Sequence, residues 1–221
     1  MQEIKDMITS ALPQTKSFAE PPISTTRPSF SPRQRAELWK ASYLKMLAAR
    51  NIDNTHNQLA AIMAALRTKQ SRGGKGVAFV GGTGTGKTVR MKLLQEVIGG
   101  VYTDAMDLFA RASRYIDDPE SFDNAINMPL LYCDNPFRYY FYLDDIGTEP
   151  AESVKYGQRN DLMESVIRRR YDAFQQGHVT CFSSNMTEPD LLRRYGERIV
   201  SRMKEMAFFI DMTGRDRRLS R

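Results

Sequence analysis

Two hydrophobic rhythms alternate along the chain from about residue 76 to residue 211. Short apolar, β-branched or aromatic runs predict strands: Val77-Ala78-Phe79-Val80, Gly100-Val101-Tyr102-Thr103, Tyr139-Tyr140-Phe141-Tyr142-Leu143, Val179-Thr180-Cys181-Phe182 and Ala207–Asp211. Between them lie helical patterns. Met91, Leu94, Val97 and Ile98 end at Gly99-Gly100, and a helix is predicted over Ala105–Tyr115. Another spans about 158–175, with Leu162, Val166, Tyr171 and Phe174 on related faces, and a last one spans 188–206. Strands separated by helices imply right-handed crossovers and a mostly parallel sheet. Ligands of such α/β sheets bind at the carboxyl ends of the strands.

The pattern before residue 76 is different. Ile4, Met7, Ile8 and Leu12 suit a short amphipathic helix. Pro13, Pro21, Pro22, Pro28 and Pro32 among Ser and Thr then predict an extended linker. A helix is predicted over 33–50, with Leu38, Ala41 and Leu44 on one face and Trp39, Tyr43 and Met46 on another. A second, over about 55–70, carries Leu59, Ile62, Met63 and Leu66, and Ser71-Arg72-Gly73-Gly74 breaks it. The division is a tail and linker over 1–32, a small helical region over 33–72, and an α/β core over 73–221.

Composition narrows the class. A chain of 221 residues with 41% hydrophobic content suits one α/β domain with an appendage. No apolar run is long enough to span a bilayer, and the N-terminus lacks a signal peptide's apolar segment. Cys133 and Cys181 show no metal spacing and read as buried thiols of a cytoplasmic protein. Two histidines, His56 and His178, exclude a histidine-based metal site and a standard catalytic triad. The net charge of +6 is unevenly spread. Residues 31–75 hold nine Lys or Arg against two acids, whereas 76–150 hold six against eleven. The basic block, with helix 188–206, is a candidate surface for single-stranded nucleic acid, with Trp39 and Tyr43 as candidate stacking rings. The acidic middle is where catalytic carboxylates are expected.

The chemistry concentrates in Gly81-Gly82-Thr83-Gly84-Thr85-Gly86-Lys87-Thr88. This matches the phosphate-binding P-loop at every fixed position and lies between a predicted strand and a predicted helix. Its glycines allow successive backbone N–H groups to curl around phosphate oxygens, and the following helix adds its positive end. Lys87 would reach the outer phosphates, and the Thr88 hydroxyl would ligate Mg²⁺. The chain is therefore expected to bind a nucleoside triphosphate.

Tyr142-Leu143-Asp144-Asp145-Ile146-Gly147 has the form of the second NTPase motif, an apolar strand ending in acid. Asp144 would hold Mg²⁺, directly or through its water, and Asp145 would polarise the attacking water as general base. Glu149 competes for that role from further along the turn. After the next strand, Asn185 of Ser183-Ser184-Asn185 is placed to hydrogen-bond a γ-phosphate and the water. Arg198 and Arg202, four apart on one helix, are candidates for a guanidinium acting on the transition state, in cis or toward a neighbouring subunit.

Together the P-loop, Tyr102–Leu108, Leu143–Glu149, Arg170-Tyr171, Ser183–Thr187, Gly196–Met203 and Gly214–Arg218 resemble the DnaC/IstB group of AAA+ ATPases. That group comprises replicative-helicase loaders of bacteria and phages and transposition helper ATPases. The resemblance covers about residues 76–218. It implies an AAA+ type P-loop NTPase with a three-layer α/β core and a parallel five-stranded sheet of order 5-1-4-3-2. Only ten residues follow the last predicted strand, so a full helical lid is not expected. Carried onto this sequence, Lys87 and Thr88 match Walker A, Asp144 and Asp145 match Walker B, and Asn185 matches sensor 1. Arg202 matches the arginine finger, with Arg198 as the alternative, and Arg218 matches sensor 2. The resemblance further implies ATP and Mg²⁺ as cofactors, self-oligomers that complete each site in trans, single-stranded DNA, and a replicative helicase as partner. A transposase is the alternative partner. An ATP-switched adaptor or a small-molecule kinase would share only the P-loop.

Overall fold

Period-two alternation within the strands sends their side chains to opposite faces, and a separate apolar core forms on each. In the computed structural model, residues 32–50, 52, 62, 74–115, 117–131, 140–150, 153–155, 158–160 and 162–212 are described. They all fall within one compact unit, Ser31–Arg221. The predicted N-terminal amphipathic helix, the Pro-rich linker, all of the 55–70 helix except Ile62, Cys133 and Arg218 lie outside the described residues.

The elements in chain order are α1 (Pro32–Ala48), β1 (Gly76–Val80), α2 (Lys87–Ile98), β2 (Val101–Asp104), α3 (Ala105–Ala112), α4 (Pro119–Leu131), β3 (Tyr140–Ile146), β4 (Ser153–Lys155), β5 (Gln158–Asn160), α5 (Leu162–Gln175), β6 (Val179–Ser184), α6 (Glu188–Met206) and β7 (Ala207–Asp211). Five strands form a sheet of order β2-β3-β6-β1-β7, and every neighbouring pair is parallel. Counting only these five strands in chain order, this is 5-1-4-3-2 read from the other edge, as the family resemblance implied.

Val77 and Phe79 of β1, Tyr140 and Tyr142 of β3, and Cys181 of β6 face α1 and α2, where Tyr43, Leu47, Met91, Leu94 and Ile98 are buried with them. Ala78, Val80, Phe141, Leu143 and Phe182 face the other way, onto α3 to α6. The result is a three-layer α/β/α sandwich. Among the described residues no helix is long and apolar enough to cross a membrane.

Two expectations are corrected, and one helix is added. The helix predicted from about residue 158 begins at Leu162, because Gln158–Asn160 instead pairs antiparallel with Ser153–Lys155 as a small hairpin. The Pro119–Leu131 helix was not foreseen. Of the two faces proposed for the first helix, the aromatic one is inward. Tyr43 is 1% exposed and Trp39 packs edge-on against Tyr140, whereas Leu38 and Leu44 are exposed. Tyr43 is therefore a core residue and not a base-stacking ring. Apolar burial favours the ring that covers the larger area.

Candidate nucleotide site

The carboxyl ends of β1, β3 and β6 converge on one edge of the sheet, and their terminal residues build the site. β1 ends at Val80, and the glycine loop follows with Gly81, Gly84 and Gly86 at positive φ. Gly81 is also held by close approach: a Cβ there would come within 2.9 Å of the Asp211 carboxylate and 3.1 Å of the Met212 carbonyl. Backbone bonds fix the loop between its neighbours. Gly81 N donates to Met186 O at 3.0 Å, and Met212 N donates to Val80 O at 2.7 Å. Thr85 Oγ1 donates to Gly82 O at 3.0 Å, while Gly82 and Thr83 remain exposed.

Lys87 opens α2 and is buried. Its ammonium folds back into the loop, donating to Gly81 O at 2.8 Å and Gly82 O at 2.6 Å. An ammonium held by neutral carbonyls of a glycine loop is a fitting seat for phosphate oxygens, which would replace those carbonyls with charged acceptors. Thr88 is half-buried on the same first turn. Among the described residues no cluster of three His, Cys, Asp or Glu is placed to hold a metal. A divalent cation bound through Thr88 and Asp144 would thus draw its remaining ligands from phosphate and water, as Mg²⁺ commonly does.

Where β3 meets β6 the register shifts. Leu143 pairs with Phe182 and Ile146 with Ser184, so Asp144 and Asp145 together oppose Ser183. This is a bulge, a device that re-aims side chains beside functional sites. Asp145 is the one non-glycine among the described residues with positive φ, at 56°. Asp and Asn tolerate that conformation best. Asp144 is 1% exposed and receives two hydroxyl donors, Tyr102 on one carboxylate oxygen and Ser183 on the other. Ser183 Oγ in turn accepts from Asp145 N at 2.9 Å. Burial, then the hydrogen bond to Asp144, pushes the Tyr102 hydroxyl well above the ordinary tyrosine range, so it keeps its proton and acts as a donor.

Asn185 Nδ2 donates to Asp145 Oδ1 at 3.1 Å, so these two sequence-predicted residues lie side by side. β6, which carries Ser183 and Ser184, lies between β1 and β3. The P-loop strand and the acid strand are therefore two strand spacings apart, roughly 9.5 Å. Glu149, the competing acid, is fully buried and bonded to Arg194 and Tyr195. It does not face the open site.

Arg198 and Arg202 lie in the second half of α6. Arg198 is exposed, whereas the Arg202 guanidinium sits 5.2 Å from the centre of the Tyr171 ring. The helix starts just past Asn185, where Thr187 and Asp190 form a capping box. Three residues fall within the motifs that carry the family resemblance, but sequence reasoning gives them no role. Tyr102 and Ser183 orient Asp144, and Arg170 is buried under β3 and β6. Arg170 Nε donates to Thr180 Oγ1 at 3.1 Å, and its guanidinium lies 4.4 Å from the centre of the Phe141 ring. Burial lowers its pKa to about 9, so it is still a cation at neutral pH. No local pattern marks Tyr102 or Ser183 as a partner of Asp144, because each reaches it from a neighbouring strand.

No protein-family model and no curated protein sequence matches the chain. Solved structures do. The DnaC helicase loader superposes with a TM-score of 0.51 at 23% identity, covering 77% of this chain and 98% of that one. DnaI gives 0.51 at 22% identity, covering 85% and 94%. A DnaA replication initiator bound to AMPPCP and single-stranded DNA gives 0.50 at 16% identity, covering 75% and 49%. The chain thus shares the AAA+-like P-loop fold of these solved structures.

Proposed function

We propose that this chain is an ATP-dependent helicase loader of the DnaC kind. It binds ATP with Mg²⁺ and single-stranded DNA, and it acts on a replicative helicase in the cytoplasm. The observation that carries this reading is that a buried P-loop lysine and a doubly oriented strand-end aspartate lie at the same carboxyl end of the sheet, with one strand between theirs. The solved DnaC helicase loader and DnaI share this fold along nearly their whole length.

In this reading Gly81 to Gly86 and Lys87 hold the triphosphate, and Thr88 and Asp144 hold the cation. Mg²⁺ when bound neutralises charge on the phosphates. Asp145, oriented by Asn185, takes a proton from the attacking water. Arg202 of a neighbouring subunit, with Arg198 as alternative, stabilises the transition state, and Arg218 contacts nucleotide. Residues 1–32 and 33–72 select the partner, and 73–221 is the ATPase core. The exposed cations Lys45 and Arg50 of the first segment and Arg193 and Arg198 of α6 supply phosphate contacts to single-stranded DNA.

Lys87→Ala is expected to weaken ATP binding. Loss of its charge-assisted hydrogen bonds costs about 3 kcal/mol, roughly a hundredfold in Kd, measured with a fluorescent ATP analogue. The partner is tested by capture of purified replicative helicase against purified transposase, with and without ATP. ATP-dependent retention of the helicase is expected. Retention of the transposase alone would move the chain to the transposition-helper class. ATPase activity indifferent to both DNA and protein concentration would favour a small-molecule kinase.

A further inference from the structure

Glu149 ends the acid turn, and its side chain has no exposure to solvent. One carboxylate oxygen serves the turn, accepting from Gly147 N at 2.8 Å. The other serves α6, accepting from Arg194 at 3.2 Å and from the Tyr195 hydroxyl. Arg194 also donates to the Glu149 carbonyl. The turn is closed on itself, with Thr148 N and Oγ1 donating to Asp145 O at 3.2 and 2.8 Å. Burial and the neighbouring Glu149 raise the Tyr195 hydroxyl above its ordinary range, which keeps it a donor.

Arg194 and Tyr195 are the last residues before a break in α6. Gly196 has φ 78° and ψ 163°, a conformation open in practice only to glycine. A Cβ there would meet nothing within 4 Å. The break is therefore a backbone joint that no neighbouring side chain fills. Beyond it, the second half-helix carries Arg198 and Arg202 and rests on α5 through Tyr171, whose hydroxyl donates to Glu205 at 2.5 Å. A buried ion pair is weak evidence for stability, and its better attested use is to fix register.

We propose that Glu149 is a positioning residue that ties the acid turn of a subunit's own site to the half-helix before the Gly196 joint, and so sets the angle at which Arg198 and Arg202 reach the next subunit. The proposal rests on the trans arrangement given above. It makes Glu149 the part that relates a subunit's own acid turn to the arginine it lends.

The test uses Glu149→Gln, which replaces one acceptor oxygen with a donating amide, and Tyr195→Phe, which removes a single hydroxyl. ATP affinity of Glu149→Gln is expected to stay within about twofold, because sites that share no partner act independently. Its assembled turnover should fall about a hundredfold, the cost of a misplacement on the order of 1 Å. Mixed with Asp145→Asn subunits, which keep an intact arginine, Glu149→Gln should recover turnover; mixed with Arg202→Ala subunits it should not. Amide exchange should quicken over 147–149 and 194–206 and not over 76–98, with Tyr195→Phe showing the same pattern more weakly. Exchange that quickens everywhere, or that leaves 194–206 unchanged, overturns the proposal, as does failure of the Asp145→Asn mixture. Should a control mixture of Arg202→Ala with Asp145→Asn also stay inactive, the trans reading falls, and the exchange pattern alone still decides whether Glu149 positions the half-helix.

Discussion

Arg202→Ala should lower assembly-stimulated ATP turnover by about 10³–10⁵-fold, the range for a guanidinium supplied to a phosphoryl-transfer site. ATP binding should change little, since Arg202 lies in α6 over the Tyr171 ring and not in the P-loop. The contact with Tyr171 holds the guanidinium over an aromatic face, a partly exposed cation–π contact of modest strength. That is small enough to be exchanged for a phosphate contact across a subunit interface. Single-turnover hydrolysis as a function of protein concentration checks the expectation. The wild-type rate should rise with assembly and the variant's should not. Arg198→Ala measured alongside separates the two arginines, because whichever is the finger abolishes the concentration dependence. A variant of Arg202 that still gains rate on assembly, beside an Arg198 variant that does not, would transfer the role to Arg198.

Asp145→Asn should retain ATP affinity and lose about 10²–10⁴-fold in turnover, the usual contribution of a positioned general base. Asparagine is the informative replacement because the residue sits at φ 56°. Asparagine tolerates that conformation at least as well as aspartate, whereas alanine would add backbone strain to the loss of the carboxylate. The bulge opposite Ser183 and the Thr148 bonds to the Asp145 carbonyl both use backbone atoms, so they should survive the change. Equal melting temperatures with unequal rates would place the defect in chemistry. Unimpaired turnover would remove Asp145 from the mechanism.

The contrast between these two residues and Glu149 shows where the amino-acid order is informative. Lys87, Thr88 and the glycines are readable because a P-loop is local: backbone amides, glycine conformations and one lysine lie within eight consecutive residues. Asp144 and Asp145 are readable because strand periodicity puts them at the carboxyl end of an apolar run. Glu149 resembles them in sequence, yet it is fully buried against Arg194 and Tyr195, forty-five and forty-six residues further on. The same limit applies to Tyr102, which reaches Asp144 only because β2 pairs with β3. Trp39 and Tyr43 show it again, since helical periodicity marks two faces of α1 without saying which one the sheet will cover.

By itself, the order of residues determined the five sheet strands, most of the helices between them, the phosphate loop, the strand-end acids and the span of the last helix, since each depends on neighbours a few positions apart. The tertiary structure alone decided which acid faces solvent and which is consumed by an arginine, which hydroxyls hold Asp144, and where α6 breaks relative to its arginines. Those outcomes depend on contacts between segments tens of residues apart. They are set by strand order and burial, which a one-dimensional pattern constrains only through the fold it produces.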